Sequence, residues 1–208
     1  MPKPSSTLAD KLANRLRAIE YSRARIEALT ARDLLSKRAT LHMYEGLFLS
    51  SHVAFEGFLE ELFIGLLVDG LGVISSRSVV SPLVIVRSFN TARRLLYSSR
   101  KAYVDWLPYD NTLELAHKYF KGGRPFSELS DAQKQHMQKC HSIRNVIAHE
   151  SKDSKKKYEK RVLGTTPLPP HEMTPAGYLR GLYRITPTQT RYENYMSQLL
   201  LIARDLAL

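Results

Sequence analysis

The stretch from Leu41 to Val68 limits what this chain can fold into more than any other. Leu41, Tyr44, Phe48, Phe55, Leu59, Leu62 and Leu66 recur at helical steps, and Leu47, Ala54, Phe58 and Phe63 widen the stripe. Such spacing gathers the side chains on one side of an α-helix. The stripe is broad enough to contact more than one neighbour, so it predicts the spine of an all-α helical bundle. Asp69-Gly70-Leu71-Gly72 ends the spine. Glu56, Glu60 and Glu61 interrupt the apolar run, so no segment there reaches the length of a bilayer span.

The flanking segments read as further helices. Thr7-x-x-Asp10 is a capping-box-like start, followed by Leu8, Leu12, Leu16, Ile19 and Ile26 at core spacing. The other face carries Lys11, Arg15, Arg17, Arg23 and Arg25 and reads as solvated, or as one wall of an RNA-facing surface. Thr30-x-x-Asp33 repeats the start signal and predicts the spine helix from near Ala31. The β-branched run within 71–86 predicts an extended connector, because Pro82 and the lack of a partner strand argue against a sheet. Ser88 caps a short helix through Tyr97, and Asp110 or Asn111 caps another over Thr112 to Tyr119, stopped by Gly122-Gly123. Ser127 or Ser130 opens the helix that ends near His149. Thr190-x-x-Glu193 opens a closing helix with Tyr192, Tyr195, Met196, Leu199, Ala203 and Leu206 on one stripe.

Chemistry concentrates at His141-Ser142-Ile143-Arg144-Asn145-Val146-Ile147-Ala148-His149-Glu150. On a helix, Cys140, Ile143, Val146 and Ile147 gather on one side and His141, Arg144, Asn145 and His149 on the other. His141, Asn145 and His149 form an i, i+4, i+8 row, with Arg144 beside it. A guanidinium offers a fork of donors to phosphate. An imidazole exchanges protons near neutral pH. Taken singly, Arg144 reads as a solvated helix arginine and His149 as a helix C-terminal residue favoured by the dipole.

Arg144, Asn145 and His149 together resemble the Arg-x4-6-His motif of HEPN domains, small all-helical proteins of which many are metal-independent RNases in toxin, antiviral and CRISPR-linked systems. The resemblance covers residues 40–150 and the closing helix. It implies an endoribonuclease of a toxin or defence system, working without a cofactor, that cuts RNA to a 2′,3′-cyclic phosphate and leaves DNA intact. Arg144 and His149 would be its catalytic pair, Asn145 an orienting group and His141 a helper. Glu56, in the aromatic-rich spine, has two readings: it holds Arg144, or it lies exposed beside Glu60. HEPN chains commonly pair so that both motifs line one cleft, which implies a homodimer. Arg144 and His149 stand about 140° apart around an ideal helix. That angle reads as awkward for one chain and as favouring a site shared by two. A non-catalytic dimeric adaptor holding RNA or a nucleotide is the alternative, and a nucleotide transferase lacks any visible acidic metal pair. In one toxin subtype a tyrosine two residues after the histidine is modified by an antitoxin partner. Ser151 stands there in this chain.

Composition bounds the rest. The 208 residues suit one domain, or one domain with a sizeable insertion, with 43% hydrophobic content and only 10 glycines and 10 prolines; the resemblance implies that this single domain is HEPN-like. Charge is lopsided, with 31 Lys and Arg against 20 Asp and Glu, a net of +11 that favours a polyanionic partner. Lys152, Lys155, Lys156, Lys157, Lys160 and Arg161 follow directly on the motif, and five prolines fall between Pro167 and Pro187. Residues 151–187 therefore read as a basic, Pro-rich loop or insertion, with the six cations as candidate RNA contacts. Tyr178 and Tyr183, near Arg180 and Arg184, read as core anchors or as platforms for unpaired bases. One cysteine, Cys140, excludes an intramolecular disulfide, and His136 with Cys140 reads as packing, not as a metal site. The amino terminus lacks the apolar core of a signal peptide, so the expectation is a cytoplasmic protein with no membrane contact.

Overall fold

A computed structural model describes residues 5–68, 74–75, 78–80, 82–84, 86–97, 103–149 and 151–207. The fold is all-α. In chain order, α1 is Ser5–Ala31, α2 Lys37–Leu67, α3 Phe89–Leu96, α4 Tyr109–Tyr119, α5 Asp131–His149, α6 Lys152–Tyr158, α7 Pro175–Arg180 and α8 Arg191–Ala207. Short 3-10 and π-helical turns and two antiparallel hairpins accompany them: β1 (Ile74–Ser75) with β2 (Ser78–Val79), and β3 (Leu182–Arg184) with β4 (Gln189–Thr190). The first hairpin corrects the reading of 71–86 as a connector without pairing. The rest of that segment lies largely outside the described residues. Among the described residues no helix is long and apolar enough to cross a membrane.

The start of the spine helix also differs from expectation. Thr30 caps nothing; its hydroxyl turns back to the Ile26 carbonyl at 2.8 Å and meets Thr40 at 2.7 Å. With that bond made, α1 continues to Ala31, and Asp33 reverses the chain with φ 57°. Ser36 is the true cap of α2, accepting from the Ala39 N–H at 3.2 Å.

The chain divides into two compact units. One comprises Met1–Ala13, Phe55–Lys134 and Leu200–Leu208, the other Asn14–Ala54 and Gln135–Leu199. The first unit is organised on Phe63, fully buried, whose ring lies 5.1 Å from Trp106, 4.9 Å from Phe120 and 5.1 Å from Phe126. Polar groups among these rings are paired: the Tyr109 hydroxyl donates to the Phe126 carbonyl at 2.9 Å and Thr112 to the Trp106 carbonyl at 2.5 Å. Phe120 ends α4, and Gly122 and Gly123 carry the chain away at φ 66° and 71°.

The second unit buries Tyr44 and Phe48 of α2 against Tyr192 and Tyr195 of α8, all edge to face at 5.7–6.5 Å. Arg23, expected on a solvated face, is buried there. Its guanidinium meets Glu193 at 2.5 Å, Glu20 at 2.6 Å and the Tyr44 hydroxyl at 3.2 Å. Arg180 grips Glu27 with two bonds of 2.9 Å, and Tyr44 donates to the same carboxylate at 2.6 Å. Burial alone would raise the Glu27 carboxyl, but the bonds from Arg180 and Tyr44 outweigh it and hold it below its usual range. The capping box of α8 is formed as expected: Glu193 accepts from the Thr190 N–H at 2.6 Å and donates its own N–H to Thr190 at 3.2 Å.

Residues 151–187 are not an open loop. Ser151 caps α6, accepting from the Ser154 N–H at 3.1 Å, and a π-helical turn at Glu159–Leu163 extends it to Gly164. Ser154, Tyr158 and Val162 form a buried stripe, while the lysines keep to the outer face. The buried stripe follows the same four-residue step as in α2, masked in the sequence by the density of charge.

His136 carries a pH signature. It stacks on Tyr195 with ring centroids 4.7 Å apart, and burial pushes its imidazole down to about 4. The folded protein therefore keeps the ring neutral where the unfolded chain, titrating near 6.5, takes up a proton. Its contribution is complete above about pH 6.5 and is lost as pH falls toward 4, about 3 kcal/mol in all. Urea denaturation at pH 7 and pH 4.5 should show this loss in the natural protein. It should be smaller in His136→Phe, which keeps a ring against Tyr195.

Candidate functional site

α5 begins at a capping box, Ser130 accepting from the Gln133 N–H at 3.3 Å and donating its own N–H to the Gln133 side chain at 2.9 Å. Met137, Cys140, Ile143 and Val146 are buried, which fixes the rotation of the helix. The opposite face carries His141, Arg144 and Asn145 half-buried and His149 exposed. Ile147 is half-buried, less than its place on the apolar side implied.

The four polar side chains form one connected string. Arg144 Nη1 donates to Asn145 Oδ1 at 3.0 Å and to His149 Nε2 at 3.1 Å. Asn145 Nδ2 donates to His141 Nε2 at 2.9 Å. A guanidinium only donates, so the directions follow from it outward. Nε2 accepts on both imidazoles, which places each ring proton on Nδ1. Nη1 spends both of its hydrogens within the string, leaving the edge formed by Nε and Nη2 for a ligand. That edge matches two oxygens of a phosphate.

This geometry corrects one expectation. The wide angle between Arg144 and His149 does not separate them, because the arginine is long enough to close it. The two residues touch within one chain.

Other expected site residues fall in different places. Glu56 is half-buried on α2, within the first unit. Lys152, Lys155, Lys156, Lys160 and Arg161 are exposed along α6 and the turn after it; Lys157 is exposed and pairs with Asp153 at 2.7 Å. Tyr178 is an anchor, packed on Tyr158 at 6.3 Å and under the Arg191 guanidinium at 4.7 Å. Tyr183 is 57% exposed and free of that role. Ser151, where a modified tyrosine stands in one toxin subtype, is a helix cap. A cavity of about 570 Å³ lined by Arg23, Glu27, Lys37, Arg180 and Leu182 includes none of the four motif residues. Among the described residues no group of three or more His, Cys, Asp or Glu is placed to hold a metal ion.

One residue escaped the sequence reading. His52 of α2 is 2% exposed, and its ring centroid lies 6.1 Å from that of His141. Its signal was a histidine inside an apolar stripe, four residues from Phe48 and three from Phe55.

No protein-family model, curated protein or solved structure matches the chain.

The string makes a spectroscopic prediction. Long-range nitrogen–proton NMR should find His141 and His149 both protonated at Nδ1 near pH 8. Arg144→Leu should release His149 from that form. Finding the Nδ1 tautomer at neither histidine of the natural protein would contradict the directions assigned above.

Proposed function

We propose that the chain is an HEPN-type endoribonuclease whose reactive pair, Arg144 and His149, works within one protomer. The observation that carries this reading is the 3.1 Å contact between Arg144 Nη1 and His149 Nε2 on the exposed side of α5. It sets a phosphate-binding fork beside a proton acceptor. The motif residues do not line the described cavity, and an open face beside six exposed cations suits a polymer better than a small molecule.

The chemistry proceeds on the ribose. Nε and Nη2 of Arg144 take two oxygens of the scissile phosphate and offset the charge that grows on them. Drawn toward the phosphate, Nη1 leaves His149 Nε2, which then accepts the proton of the 2′-hydroxyl. The 2′-oxygen attacks phosphorus in line and the bond from phosphorus to the 5′-oxygen breaks. Proton return to that oxygen completes a 2′,3′-cyclic phosphate and a 5′-hydroxyl end. Asn145 keeps the guanidinium in register, with His141 behind it. A DNA strand has no 2′-hydroxyl and is not cut. In a homodimer of the HEPN kind the second chain contributes another complete pair, not a missing half.

One observation favours the alternative, an RNA-binding adaptor that does not cut. His149 Nε2 is already engaged by Arg144, so an unoccupied site holds its own base closed. Variants separate the two readings. His149→Ala should lower cleavage by about 10²–10⁴-fold with little loss of RNA binding. Because the side chain is exposed, stability should change by about 0.5 kcal/mol or less. Arg144→Ala should lower both cleavage and binding. Mixing the two variants should restore nothing, since neither chain holds an intact pair; recovery of activity would show a site shared between chains.

The basic helix gives an independent test. Replacing Lys155, Lys156 and Lys157 with Gln should flatten the salt dependence of RNA binding by about two to three units of slope, at ~0.7–0.9 per phosphate contact. An unchanged slope would return α6 to a solvated surface.

A further inference from the structure

The cavity that excludes the motif residues is built entirely from the second unit. Its walls come from α1, the start of α2, α7 and the β3–β4 hairpin, and about 570 Å³ is the size of a small-molecule site. Its carboxylates are already supplied with donors. Arg180 holds Glu27 through Nε and Nη2 at 2.9 Å each, Tyr44 donates to the same group, and Arg191 Nη1 holds Glu172 at 2.6 Å. Gly181 lets the second pair stand, since a Cβ there would collide with both Arg191 Nη1 and Glu172 Oε2. The cations are not matched in the same way. Arg23, Lys37 and Arg180 line the cavity against Glu27 and Glu172. Lys37 is exposed and forms no ion pair among the described residues. His171, also in the lining, keeps its Nε2 3.9 Å from Glu172, beyond hydrogen-bond reach. Lys37 opens α2, whose first turn holds no acidic residue, although the positive end of a helix favours an anion. Positive charge and donors are left over at this cavity, and acceptors are used up.

We propose that this cavity binds a nucleoside monophosphate, with the phosphate taken by Lys37 and His171. A lysine ammonium is a common point-charge partner of phosphate. Inorganic phosphate alone would leave most of the space to water, so the occupant carries a larger body. Leu41 and Leu182 supply an apolar part of the lining for a base. The Thr174 hydroxyl accepts from the Gly177 N–H at 3.2 Å and keeps its own hydrogen to offer to the ligand. Ion pairs already hold Arg180, Glu27 and Glu172, so these walls lose little freedom when the ligand enters. The same chemistry has two sources, a free mononucleotide and the 5′-phosphorylated end of an RNA strand. The site uses neither Arg144 nor His149 and stands whether or not the face of α5 cuts RNA.

The experiment titrates the full chain with AMP, adenosine and inorganic phosphate by calorimetry and follows the AMP titration by amide NMR. AMP should bind, and adenosine and phosphate should each bind at least about tenfold more weakly, a charged hydrogen bond being worth that much. The amides of Thr174, Gly177 and Gly181 should shift while those of 144–149 stay. Lys37→Gln should weaken AMP about tenfold or more without lowering the melting temperature, because its side chain is exposed. His171→Gln should weaken AMP as well and serves as a second variant. Arg144→Leu should leave AMP binding unchanged. A short RNA with and without a 5′-phosphate separates the sources. A preference for the phosphorylated form that AMP competes away assigns the site to a strand end; AMP binding without that preference assigns it to the free nucleotide. Absence of AMP binding, equal AMP affinity in Lys37→Gln and His171→Gln, or shifts confined to α5 would overturn the proposal.

Discussion

A helix of 31 residues with an apolar stripe along its length has to be covered along its length. The rest of the fold answers to that demand on α2. Phe63 collects Trp106, Phe120 and Phe126 in one unit, while Tyr44 and Phe48 collect Tyr192 and Tyr195 in the other. Each large ring buried this way is worth about 1.5–3 kcal/mol relative to exposure. The tyrosines add a second requirement, because a buried hydroxyl needs a partner. Tyr44 meets it with Glu27 and Arg23, and so brings a cluster of paired charges into the second unit. Removing one member of such a cluster is more damaging than never having had it, since the partners stay buried and unpaired.

The same logic of direction governs α5. Arginine has five N–H groups and no acceptor, so any string attached to it is oriented by it. Arg144 spends one nitrogen on Asn145 and His149 and keeps an edge for an anion. In the account proposed above, a phosphate taken on that edge pulls the whole guanidinium, Nη1 included, away from the histidine. That withdrawal exposes the acceptor on His149, so binding and release of the base are one movement, and the empty site is closed.

Much of this was legible where the determinants are local. Thr190 with Glu193, Ser88 with its own helix and the two faces of the motif helix all follow from residues within one or two turns. Thr30 was misread because a threonine hydroxyl can turn back to the carbonyl four residues earlier, which lengthens a helix that a cap would have ended. Arg23 looked solvated because its partner Glu193 is 170 residues away. The basic segment hid a helix, since Ser154, Tyr158 and Val162 are sparse among lysines that dominate any average. The angle between Arg144 and His149 described an ideal backbone, and the arginine side chain spans it. His52 was passed over because an apolar stripe invites one reading of everything on it.

The central claim is that this face of α5 breaks RNA through the 2′-hydroxyl, with Arg144 and His149 as the pair. The most direct measurement incubates the purified protein, in EDTA, with an RNA oligonucleotide and with the same oligonucleotide carrying a single 2′-deoxyribose at the mapped cut. The account predicts cleavage of the first to a 2′,3′-cyclic phosphate and none at the substituted position in the second. Cutting at the deoxy position, or products ending in a 5′-phosphate, would contradict it.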